Sequence, residues 1–291
     1  MTGVSELPVN FLGLLSAKDF SDAFIVMGEN TIYLHQCILY VRAKEFLEFF
    51  TEDNQFTYNI SDNYTYDIVY QAIRLIYSDY CTVPLTQQAQ FTEFLQKHTI
   101  HRFQQIVNED IDIPLDEQPQ TTLATDLANL LKQSYKYDFT FRFENDEREI
   151  KAHKAILLSR CNHFKTMFMS FAERESPELR LHGITYEVFS HVIEHIYTDN
   201  SNISVDVVVD VLDAANLYEI DSLKRNCSEK IIGNLECDNV LVLLERAVKY
   251  ECHALKTACI DFIVDNFSEV FRTQDYNDMP VNLRPLIHMF L

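Results

Sequence analysis

One pattern of residues occurs twice along these 291 residues, in the same order, and it limits the fold more than any other feature. Asp22-Ala-Phe-Ile-Val, Leu34-His35-Gln36-Cys37-Ile38-Leu39 and Ala72-Ile73-Arg74-Leu75-Ile76-Tyr77-Ser78-Asp79 form the first copy. Asp138-Phe-Thr-Phe-Arg-Phe, Ala152-His153-Lys154-Ala155-Ile156-Leu157 and Val192-Ile193-Glu194-His195-Ile196-Tyr197-Thr198-Asp199 form the second. The separation is 116 from Asp22 to Asp138, 118 from His35 to His153 and 120 from Tyr77 to Tyr197. Insertions in loops between elements of fixed length produce such a drift. Each copy spans roughly 100 residues, enough for a core of its own, so the units are domains in tandem rather than turns of a solenoid.

The spacing of apolar residues predicts the same elements in both copies. Leu7, Phe11, Leu14 and Leu15 follow the i, i+4, i+7, i+8 pattern of a helix face, and Leu123, Leu127, Leu130 and Leu131 repeat it. A leading helix with so continuous a stripe needs a cover, either its own domain or a second copy of it. Next comes a hairpin. Phe139, Phe141 and Phe143 alternate with Thr140 and Arg142, Glu144-Asn145-Asp146 turns, and Glu149 to Ala152 returns. Helices are expected over 153–160, 164–168 and 186–197, a strand over 178–181, and a helix pair over 205–218 and 222–232. Phe91, Leu95, Ile100 and Phe103 match that pair in the first copy. Residues 107–120 hold Glu109, Asp110, Asp112, Asp116, Glu117, Pro114 and Pro119, which read as an exposed linker, although Ile111, Ile113 and Leu115 alternate as an edge strand would. Three more helices follow: 239–250, capped by Asp238, then 254–266 and a short one near the end.

Charge and composition exclude whole classes of function. A net charge of −20 repels phosphate backbones and anionic lipid, so neither nucleic acid nor membrane is an expected partner. The five glycines are too scattered for a nucleotide-binding loop. Seven cysteines without a C-x-x-C read as reduced and mostly buried thiols of a cytoplasmic or nuclear protein. The start lacks a basic, apolar leader, and the longest apolar run, 240–244, is far too short to span a bilayer.

The candidate chemistry reduces to two features. His191-Val-Ile-Glu194-His195 spells a zinc-site motif on one helical face, but the first copy carries Gln71, Arg74 and Leu75 there, so the helix does its structural work without ligands. His98 and His101 are weaker still. His35 and His153 recur at one helix start, where they read as half-buried residues bonding nearby backbone rather than as partners of a nucleophile. No catalytic residue, cofactor or metal is expected, and the chain is read as no enzyme.

His153-Lys-Ala-Ile-Leu-Leu-Ser-Arg followed by Phe164-Lys-Thr-Met-Phe168, with Asp138-Phe-Thr-Phe, His195-Ile-Tyr-Thr-Asp and Leu212-Asp-Ala-Ala-Asn-Leu-Tyr218, resembles a BTB/POZ domain in order and spacing. The first copy resembles it more weakly, with Gln36 for Lys154 and Phe94-Leu95 for Ala214-Ala215. Residues 228–271 are similar to a shortened BACK domain. The resemblance implies an α/β (α+β) fold: a first BTB/POZ domain over 7–107, an acidic linker over 108–120, a second domain over 121–226 and an all-α BACK-like region over 227–291. Each BTB domain would be a small sheet surrounded by helices.

The resemblance also implies a function. Many BTB–BACK proteins recruit cullin-3 and serve as substrate adaptors of a ubiquitin ligase. The family's contact motif, an apolar residue, any residue, then glutamate, is met by Phe171-Ala172-Glu173, with Met167 and Tyr197 as neighbouring surface and Leu243 and Tyr250 extending it. In the first copy, Phe50-Thr51-Glu52 has the letters but is expected inside a helix. Leu7, Phe11, Leu14, Leu15, Leu123, Leu127, Leu130 and Leu131 would form the dimerisation surface, within one chain or between two. The rival expectation is a self-associating scaffold or transcription-related regulator without a cullin partner. The protein substrate is not readable.

Overall fold

The computed structural model describes residues 7–16, 18, 20–52, 55–60, 63–100, 122–170, 174–200, 202–274, 276 and 284–288. The first repeat runs α1 Leu7–Ser16, β1 Ala23–Met27, β2 Asn30–Leu34, α2 Gln36–Arg42, a 3-10 helix Lys44–Phe49, β3 Thr57–Asn59, α3 Tyr66–Ser78, a 3-10 turn Leu85–Gln87 and α4 Gln88–Lys97. The second runs α5 Leu123–Gln133, β4 Phe139–Phe143, β5 Glu149–Ala152, α6 Lys154–Arg160, α7 Asn162–Met169, β6 Glu178–Leu181, α8 Tyr186–Thr198, α9 Val208–Leu217 and α10 Asp221–Ile232. The helices α11 Val240–Lys249, α12 His253–Asp265, α13 Phe267–Val270 and α14 Arg284–His288 follow.

Both repeats build the same sheet, a hairpin with a third strand parallel to its first: β2-β1-β3 and β5-β4-β6. The first hairpin turns tightly through Gly28, whose φ of 59° suits a residue without Cβ. In the second, the turn is fixed by Asp146, which accepts the Arg148 N–H at 2.9 Å. Alternation decides the faces: Phe139, Phe141 and Phe143 are buried, whereas Arg142 is exposed and bridges Glu149 and Glu178 on the flanking strands.

Helix ends repeat as faithfully as strands. The Thr65 hydroxyl caps α3, which ends at Asp79 in the left-handed region (φ 60°); α8 ends likewise at Asp199 (φ 58°). Aspartate tolerates that conformation better than most residues. Phe20 (φ 58°) and Lys136 (φ 56°) form a further matched pair of left-handed residues, ahead of β1 and β4.

The chain divides into two compact units, residues 1–186 with 193–200, and residues 187–192 with 201–291, so α8 runs through both. In the first unit the two repeats lie against each other, α1 packing on α6 and α5 on α2, while α1 also covers α3 of its own repeat. Leu7, Phe11, Leu14, Leu123, Leu127 and Leu130 are almost wholly buried, Leu15 is 6% exposed and Leu131 is half-buried. Burying each such side chain stabilises by about 1.5–3 kcal/mol.

In the second unit, Val240, Leu243, Leu244 and Ala247 of α11 and Leu255, Cys259 and Ile263 of α12 are buried, and the two helices pack as a pair. Three local expectations need correction. Asn239, not Asp238, stands at the N-cap of α11, and its Oδ1 accepts the Glu236 N–H at 2.9 Å, which fixes the turn ahead of the helix. Beyond α12, among the described residues, two short helices occur where one was expected, and α9 begins at Val208 because residues 205–207 form a turn. The linker 108–120, with Ile111, Ile113 and Leu115, lies outside the described residues, as do Phe103 and His101.

Candidate interaction sites

The contact between the repeats is built on two arginines that end matched helices. Arg42 at the end of α2 donates through Nε to the Ile76 carbonyl at 2.7 Å and pairs with Asp79, both in its own repeat. Its remaining nitrogen crosses to the second repeat, reaching Thr122 Oγ1 at 3.0 Å and the carboxylate of Asp126 on α5. Arg160, at the end of α6, repeats every step: Nε to the Ile196 carbonyl at 3.1 Å, a pair with Asp199, and Nη1 across to Asn10 Oδ1 on α1 at 3.1 Å. Asp79 crosses too, accepting the N–H groups of Thr122 and Leu123 at 3.0 and 3.2 Å. A carboxylate of the first repeat thus completes the start of the second repeat's leading helix, where free amides and the helix dipole favour negative charge.

Around these pairs the two halves differ. Tyr40 and Tyr135 stack face to face with centroids 3.8 Å apart. Phe20, from the first repeat, enters a cluster of the second: its ring lies 6.0 Å from Phe168 edge-on, 5.7 Å from the Lys154 ammonium and 5.3 Å from the Arg174 guanidinium. Lys154 is 5% exposed, donates to the Arg174 carbonyl at 2.6 Å, and also faces Phe139 and Phe168. Burial lowers its pKa from the usual lysine value. The aspartates Asp22 and Asp138 each accept the first amide of the following helix, from Gln36 at 2.7 Å and Lys154 at 2.8 Å. Both are exposed as residues, yet protein crowded about their carboxyls raises both pKa values. Lysine charge opposes that rise, from Lys154 at Asp138 and from Lys136 at Asp22.

The paired histidines are more deeply buried than their sequence position indicates. His35 and His153 are 1% and 2% exposed. Tyr77 Oη takes the His35 N–H at 2.9 Å and Tyr197 Oη takes that of His153 at 3.0 Å, and each hydroxyl also meets the ring Nδ1 of the same histidine. His153 Nε2 lies 2.8 Å from the Tyr135 carbonyl, so it carries the proton and Nδ1 accepts from the tyrosine. These bonds lock the end of a strand to a helix in each repeat. The zinc letters do not converge, since His195 is buried while Glu194 on the same helix is exposed. Among the described residues no group of three or more His, Cys, Asp or Glu could hold a metal ion.

The residues expected to meet a cullin fall in three situations. Phe171 and Glu173 lie outside the described residues. Met167 and Tyr250 are half-buried. Tyr197 is fully buried with its hydroxyl on His153, and Leu243 is 4% exposed in the α11 core, so neither side chain is a surface contact. The helical period explains both errors: each residue shares its helix face with core residues. Phe50-Thr51-Glu52 likewise follows a helix instead of lying within one; Phe50 is 8% exposed and Thr51 bridges Thr57.

Sequence reasoning missed Met169, 55% exposed at the end of α7, because Phe164 and Phe168 turn inward and leave it outside. In the second unit it missed Asp213, which Arg246 Nε engages at 3.1 Å. Burial first, then a hydrogen bond to Asp213, raises the pKa of Tyr250. One turn from Asp213 and Arg246 respectively, Leu217 and Val242 are 61% and 41% exposed. The four-residue spacing was the available signal.

The BTB/POZ domain family matches residues 11–112 and again 127–235, and the BPM/SPOP BACK domain matches 239–286. The chain belongs to the BTB/POZ family, with two such domains followed by a BACK domain. Kelch-like protein 38 of Danio rerio is 29% identical over 116 residues, 40% of this chain and 20% of that protein. Kelch-like protein 22 of Xenopus tropicalis is 26% identical over 111 residues, 38% of this chain and 17% of that protein. The chain therefore matches about a fifth of the length of these relatives. The solved BTB domain of zebrafish PATZ1 is similar at 23% identity over 39% of this chain and 95% of that one, with a TM-score of 0.33.

Proposed function

We propose that this protein is a non-enzymatic adaptor that recruits a protein substrate to a cullin-3 ubiquitin ligase through its second BTB domain. The observation that carries the reading is the succession of a BTB/POZ domain and a BACK domain over 127–286, as found in cullin-3 adaptors of this family. Exposed Met169 and half-buried Met167 on α7 lie immediately before Phe171-Ala172-Glu173, which supports placing the contact there. An apolar anchor of this kind contributes about 2 kcal/mol or more to an interface.

The two BTB domains pair within one chain, α1 and α5 serving as the pairing helices. Tethering by a short connection gives such a pair a high effective concentration. The test is capture of cullin-3 by wild type, Phe171→Ala and Glu173→Ala. Wild type should bind and both variants should lose at least tenfold in affinity. No binding by wild type removes the ligase reading and leaves the scaffold reading; equal binding by all three removes the assigned contact.

A further inference from the structure

Resting on the in-chain pairing just proposed, we infer that the pairing surface is heterotypic by construction: the first repeat offers Phe20 to Lys154, the second offers Lys136 to Asp22, and neither repeat is complementary to a second copy of itself.

The argument starts from backbone. Phe20 and Lys136 occupy equivalent positions with φ of 58° and 56°, so the chain presents whichever side chain is there in the same way. What it meets differs. In the second repeat the receiving surface holds Lys154, Phe139, Phe168 and Arg174, all near the Phe20 ring or the Lys154 ammonium. In the first repeat the matching positions are Gln36 for Lys154 and Ala23 for Phe139.

Exchanging partners exposes the mismatch. Two second repeats would set Lys136 where Phe20 stands, against the buried Lys154 ammonium and Arg174. Three cations would then crowd together, Lys136 and Arg174 exposed but Lys154 buried, where like charge repels more strongly than in open water. Two first repeats would set Phe20 against Gln36 and leave Asp22 without the lysine that now acts on it. The observed pairing assigns one lysine to each aspartate: Lys154 to Asp138 within its repeat, Lys136 to Asp22 across the contact. Asp22 and Asp138 are exposed, so solvent screens that part. The buried Lys154 carries most of the discrimination. The Tyr40–Tyr135 stack adds to it, since its counterpart positions hold Leu158 and Asp19.

The test is a double-mutant cycle in the full chain with Phe20→Lys and Lys154→Gln, read by thermal midpoint at low and high salt, together with mass by sedimentation. Phe20→Lys should lower the midpoint by about 2–4 °C or more. Adding Lys154→Gln should recover at least half of that loss, because it removes the buried cation and places the glutamine that the first repeat carries at the matching position, and high salt should recover part of it. Should Phe20→Lys fail to fold, Phe20→Leu gives the opposite control: a small, salt-insensitive loss. An unchanged midpoint in Phe20→Lys, or losses that simply add, overturns the pairing code. The mass of wild type reads the other claim independently. A value near 34.1 kDa at micromolar concentration supports pairing within one chain. A dimer overturns it, while the cycle still reports on the code across two chains.

Discussion

Arg42 and Asp126, 84 residues apart in the chain, form an ion pair with side chains 0% and 9% exposed, and the same guanidinium holds Asp79. Its counterpart Arg160 finds neutral Asn10 in place of a second aspartate. Breaking a buried pair leaves an uncompensated charge and costs about 3–5 kcal/mol, more than the pair itself contributes. Arg42→Ala takes the guanidinium from two carboxylates, Asp79 and Asp126, and Arg160→Ala from one, Asp199. Urea denaturation should therefore rank Arg42→Ala as the more destabilised by at least 1 kcal/mol, by the same reasoning. Equal losses would contradict the asymmetry.

Tyr197→Phe removes the hydroxyl shared by the amide and ring of His153. The expected loss is about 1–3 kcal/mol, for buried polar groups left without their partner. Tyr77→Phe should behave alike in the first repeat, through His35. Because Tyr197 is buried, its phenylalanine variant should capture cullin-3 as wild type does once folded protein is matched.

Burial holds His153 and His98 below the ordinary imidazole value of 6.5. The unfolded chain takes up protons as pH falls through that value while the folded chain does not. Stability is complete above pH 6.5 and declines below it. Asp22 and Asp138, raised from 3.8, act in the opposite sense at lower pH. The thermal midpoint should fall between pH 7.5 and 5.5, and His98→Gln should flatten that slope; an unchanged slope would exclude His98 as a contributor.

Five of the seven cysteines, Cys37, Cys81, Cys161, Cys227 and Cys259, are buried, and Cys237 and Cys252 are partly open. Desolvation pushes Cys81 up to about 11 and Cys227 and Cys259 to about 12, far from a reactive thiolate. Titration with an aromatic disulfide in native buffer should modify two thiols rapidly and the rest only on denaturation. Asp138 of the second repeat acts on the Cys37 thiol, so rapid modification of Cys37 would show that the pairing surface opens.

Periodicity carried the fold well. The strand of alternating phenylalanines at 139–143 and the leading helices are legible because sheet and helix faces repeat at 2 and 3.6 residues. The site was less legible for the same reason. Tyr197 and Leu243 share helix faces with core residues, so the same period that marks the helices places both side chains inward. The arginine and aspartate crossings join residues more than 40 positions apart, a distance that no local pattern encodes. Phe20, lying in a turn, had no periodicity to mark it.

The bonds from Asp79 to the amides of Thr122 and Leu123 make one helix end common property of both repeats. Cutting the chain between the repeats severs that cap, so a fragment beginning near residue 121 starts with frayed amides and a bare leucine stripe. During synthesis the order is reversed: the earlier domain leaves the ribosome first and holds a ready anchor for its sequel, which then completes folding on a template already in place.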